Sequence, residues 1–230
     1  LGETTDGCLQ EYLDIDARSV ARAPANLGDA AAATLVCAGH TAWYALAEEC
    51  RLRAGQTVLG QGSGGVSVFA LQIAKAIGAK VVATSSSDEK LERMRELGAD
   101  WLVNYRTHPD WEREVLRLCG GVDATIDVGG EATLARAVAC ANTDGFITVV
   151  GVLGGFGAAP LSVFDVMQKN LTVKGVTVGC RESLERLCRF VEQHDIRPVI
   201  SHRFAAGELA AATALLERGQ HFGKISIAVA

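Results

Sequence analysis

No Cys-x-x-Cys pair occurs anywhere in the 230 residues, although the chain holds seven cysteines, Cys8, Cys37, Cys50, Cys119, Cys140, Cys180 and Cys188. An odd count without paired spacing argues against a disulfide framework and a four-cysteine zinc site. It points instead to a reducing compartment, taken as the cytoplasm, with most of these cysteines as small core residues. No run of about 18 strongly apolar residues exists, so no membrane span is expected. A basic excess is also lacking. The chain has 22 Lys and Arg against 27 Asp and Glu, a net charge of -5, and the cations are scattered singly or in pairs. Nothing in that balance invites nucleic acid or an anionic membrane. The opening "LGETTDGCLQEY" has neither a basic region nor an apolar core, so it does not read as a signal peptide. It has no initiator Met, which leads to the expectation that the chain begins inside a longer protein.

What is present is an ordinary globular composition, 49% hydrophobic and 21% charged, in a length that suits one large domain or one domain with a small appendage. Residues 1–26 read as short strand-like pieces, "CLQEYLDID" and "SVARAP", and Gly28–Glu49 as helix with a break around Gly39. A regular alternation follows. Strands are predicted at "TVLGQ", "KVVATS", "WLVNY", "VDATIDVG" and "GFITVVGV", separated by helices over Ser67–Ile77, Asp88–Leu97, Trp111–Cys119 and Glu131–Ala141. Further on come strand "NLTVKGVTVG", helix Glu182–His194, strand "RPVIS", helix Gly207–Arg218 and strand "KISIAV". Strands of this length alternating with helices predict an α/β fold, a parallel sheet covered on both faces.

The stretch "TVLGQGSGG" gives two glycine registers. Gly60, Gly62 and Gly65 form one; Gly62, Gly64 and Ser67 form the other, with a small residue where helix and strand approach. The second keeps the strand whole and is preferred. In either, bare backbone at Gly62, Ser63, Gly64, Gly65 and Val66 would let the helix-start N–H groups meet a pyrophosphate. A ligand-free glycine turn is the plain alternative.

The end of the second strand speaks to which dinucleotide. An acid there would bond an adenosine ribose 2′-hydroxyl. This chain has Ser85, Ser86 and Ser87, with Lys90 close behind. Hydroxyls and an ammonium suit a 2′-phosphate, so NADP(H) is expected, with NAD(H) open if Asp88 or Glu89 turns inward. Ser87 also reads as the cap of the helix from Asp88.

These blocks, with "AAATLVCAGHTAWYAL", "VNYR" and "HFGKISI", resemble the medium-chain dehydrogenase/reductase superfamily, in its zinc-type alcohol-dehydrogenase-like and quinone-oxidoreductase-like branch, over almost the whole chain. The resemblance implies a Rossmann-type doubly wound parallel sheet with remnants of a GroES-like β domain at both ends. On that plan residues 1–26 end the catalytic domain, 27–195 form the dinucleotide-binding domain and 196–230 return to the catalytic domain. About the first hundred residues of a typical member would be missing. The resemblance also places Thr41 beside the nicotinamide and Lys90 and Tyr105 at the 2′-phosphate. It puts Val128, Gly129, Val150, Gly151 and Val152 at the strand ends that hold the carboxamide. Plain core packing is the alternative for the valines. Cys37 matches a catalytic zinc-ligand position but lacks the partners that zinc needs, so no zinc is expected and Cys37 is read as buried and inert.

Other chemistries lack their signatures. The residues four beyond Tyr12, Tyr44 and Tyr105 are Asp16, Glu48 and Pro109, so no Tyr-x-x-x-Lys dyad exists, and no P-loop or Gly-flanked nucleophile occurs. The expected activity is an NADP(H)-dependent oxidoreductase acting on a small carbonyl, enone or quinone, with His40 a weak candidate proton donor. Its rival is a truncated, noncatalytic NADP-binding module. The β-branched "NLTVKGVTVG" resembles a strand paired across a two-fold axis, which leads to an expected homodimer.

Overall fold

The computed structural model describes Gly2 and residues 5–229; the outermost residues of both expected end segments, 1 and 230, lie outside it. Six strands form one parallel sheet: β1 (Thr57–Gln61), β2 (Lys80–Ser85), β3 (Trp101–Asn104), β4 (Val122–Asp127), β5 (Ala141–Val149) and β6 (Thr172–Gly175). Their order is β3-β2-β1-β4-β5-β6, every pair parallel, so the chain winds outward in both directions from β1 and β4. This is the doubly wound α/β sheet expected.

Alternate residues of the central strands face opposite layers, as the period of two requires. Val58, Val81, Ala83, Ala124 and Ile126 join a core with α3 (Gly65–Ile77), α4 (Asp88–Glu96) and α8 (Arg181–Gln193). Leu59, Val82, Val103 and Val122 face the other way, against Trp111 and Val115 of α5 (Trp111–Cys119). A third cluster packs α6 (Leu134–Cys140) and α7 (Val163–Gln168) on β5 through Ala137, Val138 and Ile147. Glycines in the left-handed region end two of these helices, Gly78 after α3 at φ +91° and Gly120 after α5 at φ +80°.

Several expectations need correction. The strand-like pieces before residue 26 form no strand among the described residues; only a 3-10 turn at Ala17–Ser19 is present. None of the described residues there pairs with a strand, so they have no ladder hydrogen bonds. Nor does the helical run break at Gly39. It passes from α1 (Asp29–Ala32) through a wider π turn at Leu35–Gly39, α2 (His40–Trp43) and a second π turn at Tyr44–Glu49. Gly39 has ordinary helical angles, and a Cβ there would stand 3.4 Å from the Phe69 ring. That glycine serves close packing. Helix α7 was not foreseen; Ser162 Oγ caps it by accepting from the Asp165 N–H at 3.1 Å. β6 is shorter than the ten residues expected, because only Thr172–Gly175 find β5 as a neighbour. Beyond the main sheet, β7 (Ile200–Ala205) and β8 (Lys224–Ala228) pair in parallel around α9 (Leu209–Glu217).

Candidate functional site

The C-terminal ends of β1, β2 and β4 open on one cleft of about 820 Å³, where ligands bind in open α/β sheets. β1 ends at Gln61, and Gly62 turns the chain at φ +78°. An L side chain rarely adopts that angle, so the demand at Gly62 is conformational. At Gly65 the demand is steric: an added Cβ would lie 2.5 Å from Lys224 Cδ and 3.0 Å from Ala38 Cβ. Buried Ser67 donates its hydroxyl to the Gln61 carbonyl at 2.5 Å. That places a small, bonded residue where strand and helix meet, consistent with the Gly62, Gly64, Ser67 register. The first-turn N–H groups of α3 have no intrahelical acceptors, and they give this end of the cleft a positive potential.

Beneath the turn a buried pair fixes the strand ends. Gln61 Nε2 donates to Asp127 Oδ2 at 3.0 Å, and Gln61 Oε1 accepts from the Val128 N–H at 3.3 Å. Asp127 Oδ1 accepts from the Gly130 N–H at 2.8 Å and from Thr133 Oγ1 at 3.1 Å.

The wall at the end of β2 carries Ser85, Ser86, Lys90 and Tyr105. Ser87 is not among the lining residues; its Oγ accepts from the Lys90 N–H at 3.3 Å and caps α4. Asp88 is held outside, accepting from Asn104 Nδ2 at 2.6 Å. No carboxylate lines the cleft at any point among the described residues.

The wall that sequence reading missed follows α9. Leu216, Arg218, Gly219, His221, Gly223, Lys224 and Ile225 all face the cleft. Lys90 Nζ donates to the Gly219 carbonyl, the Arg93 guanidinium lies 4.0 Å from the Phe222 ring centre, and the Gly223 N–H donates to the Ser63 carbonyl at 2.9 Å. These ties bring the segment over the glycine turn. His221 Nδ1 is buried without a hydrogen-bond partner among the described residues. Burial, then Lys90, Lys224 and His202, push its pKa down. Burial likewise lowers that of Lys90. Its sequence signal was the block "HFGKISI", whose charge did not reveal where the fold would put it.

At the opposite end Val128, Leu153 and Cys37 reach the cleft. Cys37 is exposed, a correction to its reading as buried: Leu35, Ala38 and Gly39 take the buried positions of the π turn, and Cys37 opens on the cleft. Gly129, Val150, Gly151 and Val152 stand behind this end rather than in its lining. The Val150 N–H donates to the Asp127 carbonyl at 2.8 Å, and a Cβ on Gly151 would fall 2.9 Å from the Val128 carbonyl oxygen. Thr41 is buried. His40 is buried too and is not among the lining residues of the cleft; its Nε2 has no partner among the described residues, and a Cβ on Gly179 would lie 2.6 Å from it. Burial lowers its pKa, chiefly against the pull of Glu48.

Among the described residues no three of His, Cys, Asp and Glu are grouped to hold a metal. Only Cys140 and Cys188 of the seven cysteines are fully buried, another correction, since Cys8, Cys37 and Cys180 are exposed. Burial pushes the Cys50 thiol up to about 11 and the Cys140 thiol to about 12, which keeps both protonated. No helix among the described residues is long and apolar enough to cross a membrane.

A glycine turn at the carboxyl end of a central parallel strand, opening on a cleft that no carboxylate of the described residues lines, is the arrangement of a Rossmann-type α/β domain. The sequence profile of the zinc-binding dehydrogenase family matches residues 65–193, more than half of the chain. A zinc-type alcohol dehydrogenase-like protein of Schizosaccharomyces pombe is 38% identical over 236 residues, covering 100% of this chain and 68% of that protein. An alcohol dehydrogenase of Geobacillus stearothermophilus is 34% identical, covering 86% of this chain and 58% of its own length. Among solved structures, an NAD-dependent alcohol dehydrogenase superposes with a TM-score of 0.92 at 35% identity, over 100% of this chain and 67% of that one. The chain belongs to the zinc-binding dehydrogenase family, alcohol-dehydrogenase-like oxidoreductases of the medium-chain dehydrogenase/reductase type. It spans roughly three-fifths to two-thirds of the length of these relatives.

Proposed function

We propose that this chain binds NADP(H) in the cleft and that the protein it belongs to moves hydride between the nicotinamide and a small carbonyl, enone or quinone. One observation carries the cofactor choice. The adenosine end gathers Ser85, Ser86, Lys90, Tyr105, Arg218 and His221 with no carboxylate among them, while Asp88 is engaged by Asn104. A ribose 2′-hydroxyl calls for an acceptor; a 2′-phosphate calls for the donors present here. The cradle also suits the rest of the dinucleotide. The pyrophosphate would meet the N–H groups from Gly64 to Val66 and the Lys224 ammonium, and the nicotinamide would rest toward Val128 and Leu153. The hydride chemistry belongs to the cofactor; this chain's residues bind it, orient it and keep water away. NAD(H) is the competing reading, since the structural relative named above is described as NAD-dependent.

Titration with NADPH and NADH, followed by nicotinamide fluorescence, tests the reading. Tighter NADPH binding, weakened about tenfold or more by Lys90→Ala with NADH binding little changed, is expected for loss of one charge-assisted contact. Equal or tighter NADH binding overturns the NADP(H) assignment. Binding without turnover of carbonyls, enones or quinones leaves the noncatalytic module.

The domain plan stands as a proposal with it: residues 1–26 and 196–230 belong to a catalytic domain flanking the sheet domain of 27–195. The short β7–β8 sheet, separate from the main one, supports the second limit. We also propose a homodimer formed along β6. That edge strand is exposed along its whole length, and Phe164 and Met167 of the preceding helix α7 are exposed too. Free thiols across the chain support a reducing, cytoplasmic setting.

A further inference from the structure

We propose that His221 is a specificity-determining residue of the cleft: it takes up a proton to meet the 2′-phosphate of NADP(H), and so couples discrimination between the two nicotinamide cofactors to pH. This rests on the NADP(H) reading above. Three observations carry it. His221 lines the same cleft as Ser85, Ser86 and Lys90, from the wall facing theirs, and lies close enough to Lys90 to feel its charge. Its Nδ1 is buried and has no hydrogen-bond partner among the described residues, so no protein acceptor there favours a second proton on the free ring. The backbone beside the ring is held, because the neighbouring Phe222 lies under the Arg93 guanidinium and donates its N–H to Ser201 Oγ at 3.3 Å.

The charges around this ring decide its behaviour. Lys90 faces it from α4, Lys224 from β8 and His202 from β7, and Arg218 lines the same pocket from the end of α9. Among the described residues no carboxylate lines the cleft to offset them. Burial and these cations hold the free imidazole below the 6.5 ordinary for histidine, so near neutral pH it is uncharged. A phosphate dianion reverses the field. It screens the lysines and accepts a hydrogen bond from the imidazolium, so the histidine pKa rises on binding and one proton is taken from solvent. NADH brings no such charge and leaves the ring neutral.

The sign follows. Affinity for NADPH falls as pH rises between the free and the bound pKa of His221. The phosphate's own second ionisation, near about 6, acts the other way, since the dianion forms as pH rises. The two sources are therefore separable. NADPH and NADH would be titrated from pH 6 to pH 8 on the native chain and on His221→Asn. The native chain is expected to lose about tenfold in NADPH affinity over that range with NADH nearly constant. The variant should lose the fall and bind NADPH about tenfold more weakly at pH 6, with an unchanged urea unfolding midpoint as evidence that it folds. Calorimetry of the native chain in two buffers of different ionisation enthalpy should show net proton uptake with NADPH and none with NADH. A clear NADPH preference with the same pH slope in both proteins, or without proton uptake, overturns the role of His221 and leaves the cofactor assignment standing. No preference for NADPH at any pH overturns both.

Discussion

Gln61 and Asp127, on adjacent strands, share a buried hydrogen bond of 3.0 Å, and the other oxygen of Asp127 gathers the Gly130 N–H and the Thr133 hydroxyl. One amide thus sets the spacing of two strand ends that both feed the cleft. Gln61→Ala would leave a fully buried carboxylate short of one donor and the Val128 N–H without its acceptor. A loss of about 2–3 kcal/mol is expected for such orphaned groups. Urea unfolding would read it as a lower midpoint at unchanged slope.

Gly65→Ala tests the steric reading of the glycine turn. The new Cβ would meet the Lys224 stem at 2.5 Å, so Lys224 must swing away while α3 keeps its length. Stability should change by less than about 1 kcal/mol, because alanine favours helix over glycine by about that amount. Binding of both NADPH and NADH should weaken together, since the displaced ammonium serves the pyrophosphate common to them. Fluorescence titration distinguishes this from Lys90→Ala, which should act far more on NADPH than on NADH.

Acid should loosen the contact between the second π turn and α8. The Arg186 guanidinium, with Nε at 2.8 Å and Nη2 at 2.7 Å, holds the Glu48 carboxyl at about 2, below its ordinary 4.5; Trp43 Nε1 also donates, at 2.9 Å. A lowered folded-state pKa means that the stabilisation is whole above pH 4.5 and is lost as pH falls toward about 2. Glu48→Gln should therefore cost about 1–2 kcal/mol at pH 7, allowing for solvent screening of the half-exposed guanidinium. The gap between native and variant urea midpoints should narrow steadily from pH 5 to pH 3.

The dimer proposal is tested at the sheet edge. Light scattering at micromolar concentration should give about twice the 24.2 kDa of one chain. Val173→Lys on β6, combined with Met167→Lys, should return the single-chain mass, because charge on an edge strand opposes pairing. A native mass near that of one chain removes the proposal.

How far the sequence reaches differs from element to element. Trp111–Cys119 could be read from its apolar spacing and its closing glycine, and "TVLGQ" and "KVVATS" from their length and β-branched content. Those signals are local. Ser87 shows a limit of another kind: one short stretch spelled both a cap and a phosphate ligand, and the geometry gives the hydroxyl to the cap. The pieces before residue 26 show a third, because β-like composition makes a strand only when a neighbour supplies the ladder.

What the sequence by itself determined is the alternation of strands and helices, the glycine turn at Gly62 and Gly64, and the serines that replace an acid at the end of β2. Each follows from propensities and steric rules acting over a few residues. What only the tertiary structure decided is the far wall of the cleft. Arg218, His221 and Lys224 lie more than a hundred positions from Ser85 and Lys90, and no local pattern marks where they go. They arrive because Gly223 bonds Ser63, Lys224 crosses the bare face of Gly65, and Phe222 settles into the main core. Burial of that one ring sets the path of its neighbours, and with it the charge that the cleft presents to a ligand.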